Sequence, residues 1–272
     1  RLSLDRIYGV LALEEMGTKS LKFSFENEIN FNHVYFSYGR QTLFTDLSFR
    51  IKKWEIVAIV AESGSGKSTI GNLLSKLWKP QEGQITIDGV DINDIDQFDL
   101  RDNIGLASQN NEIFYGTIHE NLTMGKEISM SVIKETTSNI GILKFIESLP
   151  NGFQTILEKD GANISIGQKQ RIALGRALLT QAPILILDEI TSNLAVNAEQ
   201  LIKECLKEAT VMRTVILISH RLHITDIADR IIMVENGTVI EQGTYQELMK
   251  ARGKYWSLYN TDDSLLRDCT ID

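Results

Sequence analysis

Five short runs of this chain are apolar without interruption, and each ends on polar residues. EIVAIVA leads into ESGSGKST, NIGLAS into Gln109, PILIL into Asp188, TVILIS into His220 and RIIMV into Glu235. An unbroken apolar strand must bury both of its faces, which a parallel sheet covered by helices on either side allows. In such sheets ligands sit outside the carboxyl ends of the strands. Four of these polar endings are therefore expected to meet at one edge.

The rest of the chain fits around that sheet. INFNHVYFSY and TLFTDLSFRI alternate apolar and polar residues and end in polar turns, the pattern of an antiparallel β portion. Between Gln109 and Pro183 the pattern is mostly helical, in ISMSVIKETTSNIGILKFIESL and SIGQKQRIALGRALL, enough for a helical subdomain at about 110–180. Residues 1–20 place Leu4, Ile7, Leu11 and Leu13 at helical spacing among charges and read as a connector. The chain starts at Arg1 and carries no signal peptide, so it is expected to be a fragment with its natural start upstream.

The longest apolar runs, such as Ile56 to Ala61, are strand-length, far below the roughly 20 residues of a membrane-spanning helix. No direct membrane insertion of this fragment is expected. A formal charge of −8, from 28 basic and 36 acidic residues, argues against a broad grip on nucleic acid. Cys205 and Cys269 have no metal-ligand spacing and suggest no disulfide framework.

The strongest motif is AESGSGKST, residues 61–69, between an apolar strand and the apolar helix TIGNLLSKLW. This is the context of a phosphate-binding loop. Gly64 and Gly66 let backbone N–H groups curl around phosphate oxygens, Lys67 supplies a point charge, and Ser68 is placed to hold Mg²⁺. Ser63, Ser65 and Thr69 complete the loop. The adjacent acids Asp188 and Glu189 stand at the mouth of a buried strand and are expected to point differently. Asp188 suits a Mg²⁺ shell, and Glu189 suits orienting and deprotonating a water; both also read as capping acids of the next turn.

Gln109 and His220 say little singly. With the loop and the acid pair in order, Gln109 becomes a candidate ligand of Mg²⁺ or water and His220 a candidate sensor of the terminal phosphate. Ser165-Ile166-Gly167-Gln168 fits a capping box. A helix start with an adjacent glycine is also an anion site, here followed by Lys169, Arg171 and Arg176. Tyr38, in FSYGR, is either an aromatic packed on the sheet or a platform for adenine, where stacking is worth roughly 1–3 kcal/mol.

Taken together, the chain resembles the nucleotide-binding domain of ABC exporters over nearly its whole length. Tyr38 matches the adenine-stacking aromatic, AESGSGKST the Walker A loop, SQNNEIFYGTIHENL the Gln-loop, ISIGQKQRIALGRALL the signature helix, ILILDE Walker B and ISHR the switch histidine. The segment DRIIMVENGTVIEQGTYQELMKARGKYWSLY is similar to the family's C-terminal portion. Among subgroups, the bacterial peptide and bacteriocin exporters look most similar.

The resemblance implies an α/β fold with a P-loop NTPase core, a mostly parallel sheet, an antiparallel β subdomain and an inserted helical subdomain. It implies a connector at residues 1–27 from a transmembrane domain of the same polypeptide, and an ABC ATPase domain at residues 28–272. It further implies ATP and Mg²⁺ as cofactors and a location on the cytoplasmic face of the membrane. A second ATPase domain would complete each site, with Ser165, Gly167 and Gln168 of one domain meeting the ATP held by the other.

Four positions depart from the family pattern: Ala61 opens Walker A in place of glycine, Trp54 replaces a turn glycine, Ile166 replaces the first signature glycine, and Ala195 replaces the D-loop aspartate. A bulky residue at positive φ costs roughly 1 kcal/mol or more. Ile166 and Ala195 both fall on the half-site lent to a partner, whereas Lys67, Asp188, Glu189 and His220 are intact. That asymmetry favours one half of a heterodimer. The rivals are a soluble ABC ATPase of chromosome maintenance or translation, which needs a coiled-coil insertion or tandem motors, and a regulatory module that binds ATP with little turnover.

Overall fold

The computed structural model describes residues 23–62, 64–108, 112–190, 196–209 and 212–268. Ser63, Gln109, Ala195 and residues 1–22 of the expected connector lie outside the described residues. The strands are β1 (Glu28–Tyr38), β2 (Gln41–Lys52), β3 (Ile56–Ala61), β4 (Glu82–Ile87), β5 (Val90–Asp91), β6 (Ile104–Ala107), β7 (Gly116–Thr117), β8 (Ile156–Leu157), β9 (Ile184–Asp188), β10 (Thr214–Ser219), β11 (Arg230–Glu235) and β12 (Thr238–Gly243). The helices are α1 (Lys67–Leu74), α2 (Gln97–Asp102), α3 (Ile118–Thr123), α4 (Met130–Asn139), α5 (Leu143–Ser148), α6 (Ile166–Leu179), α7 (Val196–Ala209), α8 (Tyr245–Ala251) and α9 (Lys254–Asp268). None is long and apolar enough, among the described residues, to cross a membrane.

The five apolar runs form one parallel block in the order β11-β3-β10-β9-β6. Their unbroken hydrophobicity has a direct cause, because every residue of β3, β9 and β10 is buried. Along β3, Ile56, Ala58 and Val60 enter one core while Val57, Ile59 and Ala61 enter the other. Leu185 and Leu187 of β9 join the first core, and Ile184 and Ile186 the second. The successive side chains of a strand point to opposite faces, so a strand between two cores is apolar along its middle, and the polar residues, Asp188 of β9 and Thr214 and Ser219 of β10, stand at the strand ends.

The antiparallel portion, in the order β5-β4-β1-β2, is also present. It is continuous with the parallel block, joined through β12, where Thr238 pairs with Asp46. In β1 the buried positions alternate, with Ile29 and Phe31 inward before a register shift near His33 and Val34 and Phe36 after it. Phe31 stacks on Phe49 of β2 at 4.4 Å. This part buries one face only, and its sequence alternates accordingly.

The helical insertion between β6 and β9 holds α3 to α6, with the short β7–β8 pair. The run expected as helical at residues 128–149 is broken in two. Gly141 adopts φ +70°, and the Ile142 N–H returns to the Thr137 carbonyl at 2.9 Å, closing α4 with a left-handed turn of the kind glycine favours.

Trp54 adopts φ +61° and its ring is 59% exposed, so the strain expected from the sequence is present without core burial to offset it. Its N–H donates to Thr214 Oγ1 at 2.7 Å, a bond the backbone keeps whatever the side chain. Left-handed backbone costs a non-glycine residue about 1–2 kcal/mol, part of which a glycine returns through unfolded-state entropy. Trp54→Gly is therefore expected to stabilise the fold by about 0.5–1 kcal/mol. A lower denaturant midpoint for that variant would contradict this account.

Candidate nucleotide site

The site grows from the ends of β3, β9 and β10. Parallel register sets Val60 opposite Ser219 and Ile218 opposite Asp188, so the residues that follow these strands emerge at one edge. After β3 the chain turns through Gly64 (φ +83°) and Gly66 (φ +87°) into α1. Both glycines are needed for conformation. At Gly66 a β-carbon would also fall 3.0 Å from Leu43 Cδ1. The helix itself lies close on the sheet, since a β-carbon at Gly71 would meet Ile186 Cγ2 at 3.3 Å.

Lys67 is buried and donates to the carbonyls of Ala61 (2.8 Å) and Glu62 (2.9 Å). An ammonium has three protons to donate, so one remains for a ligand. Burial pulls its pKa below the usual lysine value, opposed by the nearby Glu189 and Asp188 carboxylates. Asp188 closes β9 and is buried, which pushes its carboxyl above the usual range, while a hydrogen bond from Ser68 and the charge of Lys67 work the other way. Its Oδ1 is buried with no hydrogen-bond partner.

Glu189 leaves the strand with φ +52°, its N–H bonded to the Ile218 carbonyl at 2.9 Å. This turn brings Glu189 Oε1 to 3.1 Å from His220 Nδ1. A left-handed glutamate is strained backbone, of the sort that collects at functional sites.

Tyr38, Gln41, Leu43, Gly64, Gly66, Lys67, Ser68, Thr69, Glu189 and His220 line one cavity of about 560 Å³. The volume falls within the range of small-molecule and cofactor sites. At its rim the Tyr38 ring stands edge-on to Phe36 (4.8 Å) and Trp78 (5.2 Å), and Thr69 Oγ1 reaches the Tyr38 hydroxyl at 3.4 Å. The Tyr38 ring is thus packed against aromatic neighbours while it still lines the cavity. The supporting Trp78, and Gln41 and Leu43 at the start of β2, were not singled out from the sequence. Tyr38 pairs with Gln41 across a tight hairpin, and that short spacing is the signal that could have found Gln41 and Leu43.

Ser165, Gly167 and Gln168 do not line this cavity. The predicted capping box is formed instead at the start of α6, where the Ser165 N–H donates to Gln168 Oε1 (2.8 Å) and the Gln168 N–H to Ser165 Oγ (3.3 Å). Ile166 beside it is 61% exposed.

A strand, glycine loop and helix, with a buried acid on a parallel strand of the same sheet, define a P-loop nucleotide-binding fold. A family model described as ABC transporter matches residues 44–192, more than half of the 272-residue chain. An ATP-dependent lipid A-core flippase of Desulfotalea psychrophila is 39% identical over 263 residues, covering 95% of this chain and 46% of that protein. The ABC transporter B family member 18 of Arabidopsis thaliana is 42% identical over 236 residues, covering 85% of this chain and 19% of that protein. A solved bacterial Atm1-family ABC exporter with ATP bound is similar with a TM-score of 0.91 at 31% identity, covering 96% of this chain and 47% of that one. This chain belongs to the ABC transporter family and is an ATP-binding domain of the ATPase type within it. It spans less than half the length of each of these three proteins.

The raised pKa of Asp188 has a consequence for stability. An acid whose folded pKa exceeds its unfolded value opposes folding while it is ionised, and the opposition fades as pH falls toward the unfolded value. Asp188→Asn is expected to raise the melting temperature at neutral pH with nucleotide and divalent cations removed, and the gain should shrink toward about pH 4, the ordinary aspartate range. A gain that persists undiminished at acid pH would show that burial of the charge is not its origin.

Proposed function

We propose that this chain is the ATP-hydrolysing motor of an ABC exporter, with residues 28–272 as the ATPase domain, a helical subdomain at about 110–180 and residues 1–27 as the connector to a transmembrane domain of the same polypeptide. The observation that carries it is the meeting of Glu189 and His220 at 3.1 Å on the rim of the cavity that Lys67 and Ser68 also line. On this reading the N–H groups around Gly64 and Gly66, with Ser63, Ser65 and Thr69, cradle the phosphates, and Lys67 gives its remaining proton to them. Tyr38 carries the adenine.

Glu189 takes the proton of the attacking water. Its strained turn and its His220 contact aim the carboxylate across the cavity. With Nδ1 engaged by Glu189, Nε2 is the His220 atom left to meet the terminal phosphate, and an imidazolium donates from both nitrogens. The buried, unpartnered Asp188 Oδ1 beside Ser68 suits a hard divalent cation, which supports Mg²⁺ held by Ser68 and Asp188, with Gln109 as a further ligand. When bound, Mg²⁺ supplies neutralising charge at the phosphates.

The signature residues Ser165, Gly167 and Gln168 stand at a helix start outside their own domain's cavity. That supports a second ATPase domain as the partner whose ATP they meet, on the cytoplasmic face of the membrane. The exposed Ile166 places a β-branched side chain at that contact, which favours a partner of different sequence over a second copy. A regulatory module with little turnover is the rival it also supports. Peptide or bacteriocin export is a narrower proposal than the flippase and exporter relatives carry.

Glu189→Gln is expected to keep ATP binding and to stabilise a closed dimer while lowering turnover by about 10²-fold or more. Hydrolysis at the unaltered rate would remove Glu189 from its role. For the pairing, the full-length protein purified alone is expected to turn over ATP slowly. Brisk turnover coupled to transport in that preparation would exclude the heterodimer.

A further inference from the structure

The phosphate loop is firmly held on its inner side, where Lys67 ties it to the sheet edge. Beside the nucleotide cavity, and sharing Gln41, Leu43 and Gly64 with it, lies a second cavity of about 430 Å³ whose lining includes Glu62, Ser65, Glu235 and Asn236. Packed side chains therefore do not back the loop on that side. One group crosses the margin: Lys254 Nζ stands 3.1 Å from Glu62 Oε1 and 2.8 Å from Glu235 Oε1.

Lys254 is rigidly mounted. It opens α9, and its N–H and that of Tyr255 both donate to the Glu241 carboxylate on β12, at 2.6 and 3.0 Å. A β-carbon at Gly253 would fall 2.2 Å from Glu241 Oε1, so glycine is what allows the helix start to sit this close. Tyr255 is wholly buried, with its hydroxyl 2.7 Å from Thr225 Oγ1 in the turn Leu222–Ile227 that follows His220. Hydrogen bonds to Glu235 and Glu62 hold the Lys254 ammonium above the ordinary lysine range.

We infer that Lys254 is a positioning residue for the phosphate loop, tying Glu62 to Glu235 so that the loop's N–H groups are converged before a nucleoside triphosphate arrives. It touches no nucleotide itself. The link is short, because Glu62 gives its side chain to Lys254 and its carbonyl to Lys67. Holding a binding loop in its bound shape raises affinity by lowering the ordering cost of binding. The inference rests on the reading that the loop binds nucleotide phosphates.

The side chains of Lys254, Glu62 and Glu235 are 38%, 57% and 30% exposed, so salt screens the bridge. Pairs this exposed are weak, which bounds the effect at about fivefold. The test is equilibrium binding of trinitrophenyl-ATP to the 272-residue chain at low and high salt. Lys254→Met is expected to weaken binding about three- to fivefold at low salt, with Lys254→Arg restoring it. Glu62→Gln should match Lys254→Met, the double variant should be no worse than either, and the gap from the unaltered chain should close at high salt.

Undiminished affinity in Lys254→Met, or losses that add in the double variant, would overturn the inference. Should Lys254→Met melt early, Glu235→Gln leaves the mounting of α9 in place and decides the matter, unchanged affinity again being the adverse result. Failure of the unaltered chain to bind the probe would instead count against the nucleotide reading.

Discussion

Burial of β3, β9 and β10 on both faces is the constraint on which the site stands. Strands pinned between two cores cannot slide by one residue without turning every side chain to the wrong face, so their register is fixed. In that register Ile218 lies opposite Asp188, and the Glu189 N–H continues the ladder to the Ile218 carbonyl. The contact between Glu189 and His220 follows, because each is the first residue past its strand on neighbouring parallel strands. The phosphate loop leaves the adjacent strand at the same edge.

The chemistry of the edge works against the stability of the fold by itself. Burial pulls Lys67 and Asp188 each toward its neutral form, and their mutual attraction opposes this only in part. The left-handed backbone at Glu189 adds local strain. A phosphate ligand would face the lysine, and a cation would face the buried Asp188 Oδ1. Both would relieve charges that the fold alone leaves poorly compensated, which is the electrostatic form of preorganisation.

Much of this was legible beforehand where the cause is local. Double-sided burial writes itself as unbroken apolar runs, the loop as glycines before Lys67, and the start of α6 as Ser165 three residues ahead of Gln168. The strain at Trp54 was also legible, since a turn that takes glycine asks for positive φ. Less visible was the break at Gly141, because apolar spacing continues across it from α4 to α5 and a single glycine does not by itself say which way the chain turns. The aromatic surroundings of Tyr38 were hidden because Trp78, which follows α1, meets Phe36 and Tyr38 only in the folded chain.

The amino-acid sequence by itself determined the order of elements, the phosphate loop and the identity of the acids and the histidine, since each depends on neighbours within a few residues. Tertiary structure alone decided that Glu189 faces His220, that the signature residues stand outside their own cavity, and that Lys254 reaches Glu62. These contacts join residues distant in the chain, and their distances are set by how the sheet and helices pack, which no local pattern encodes.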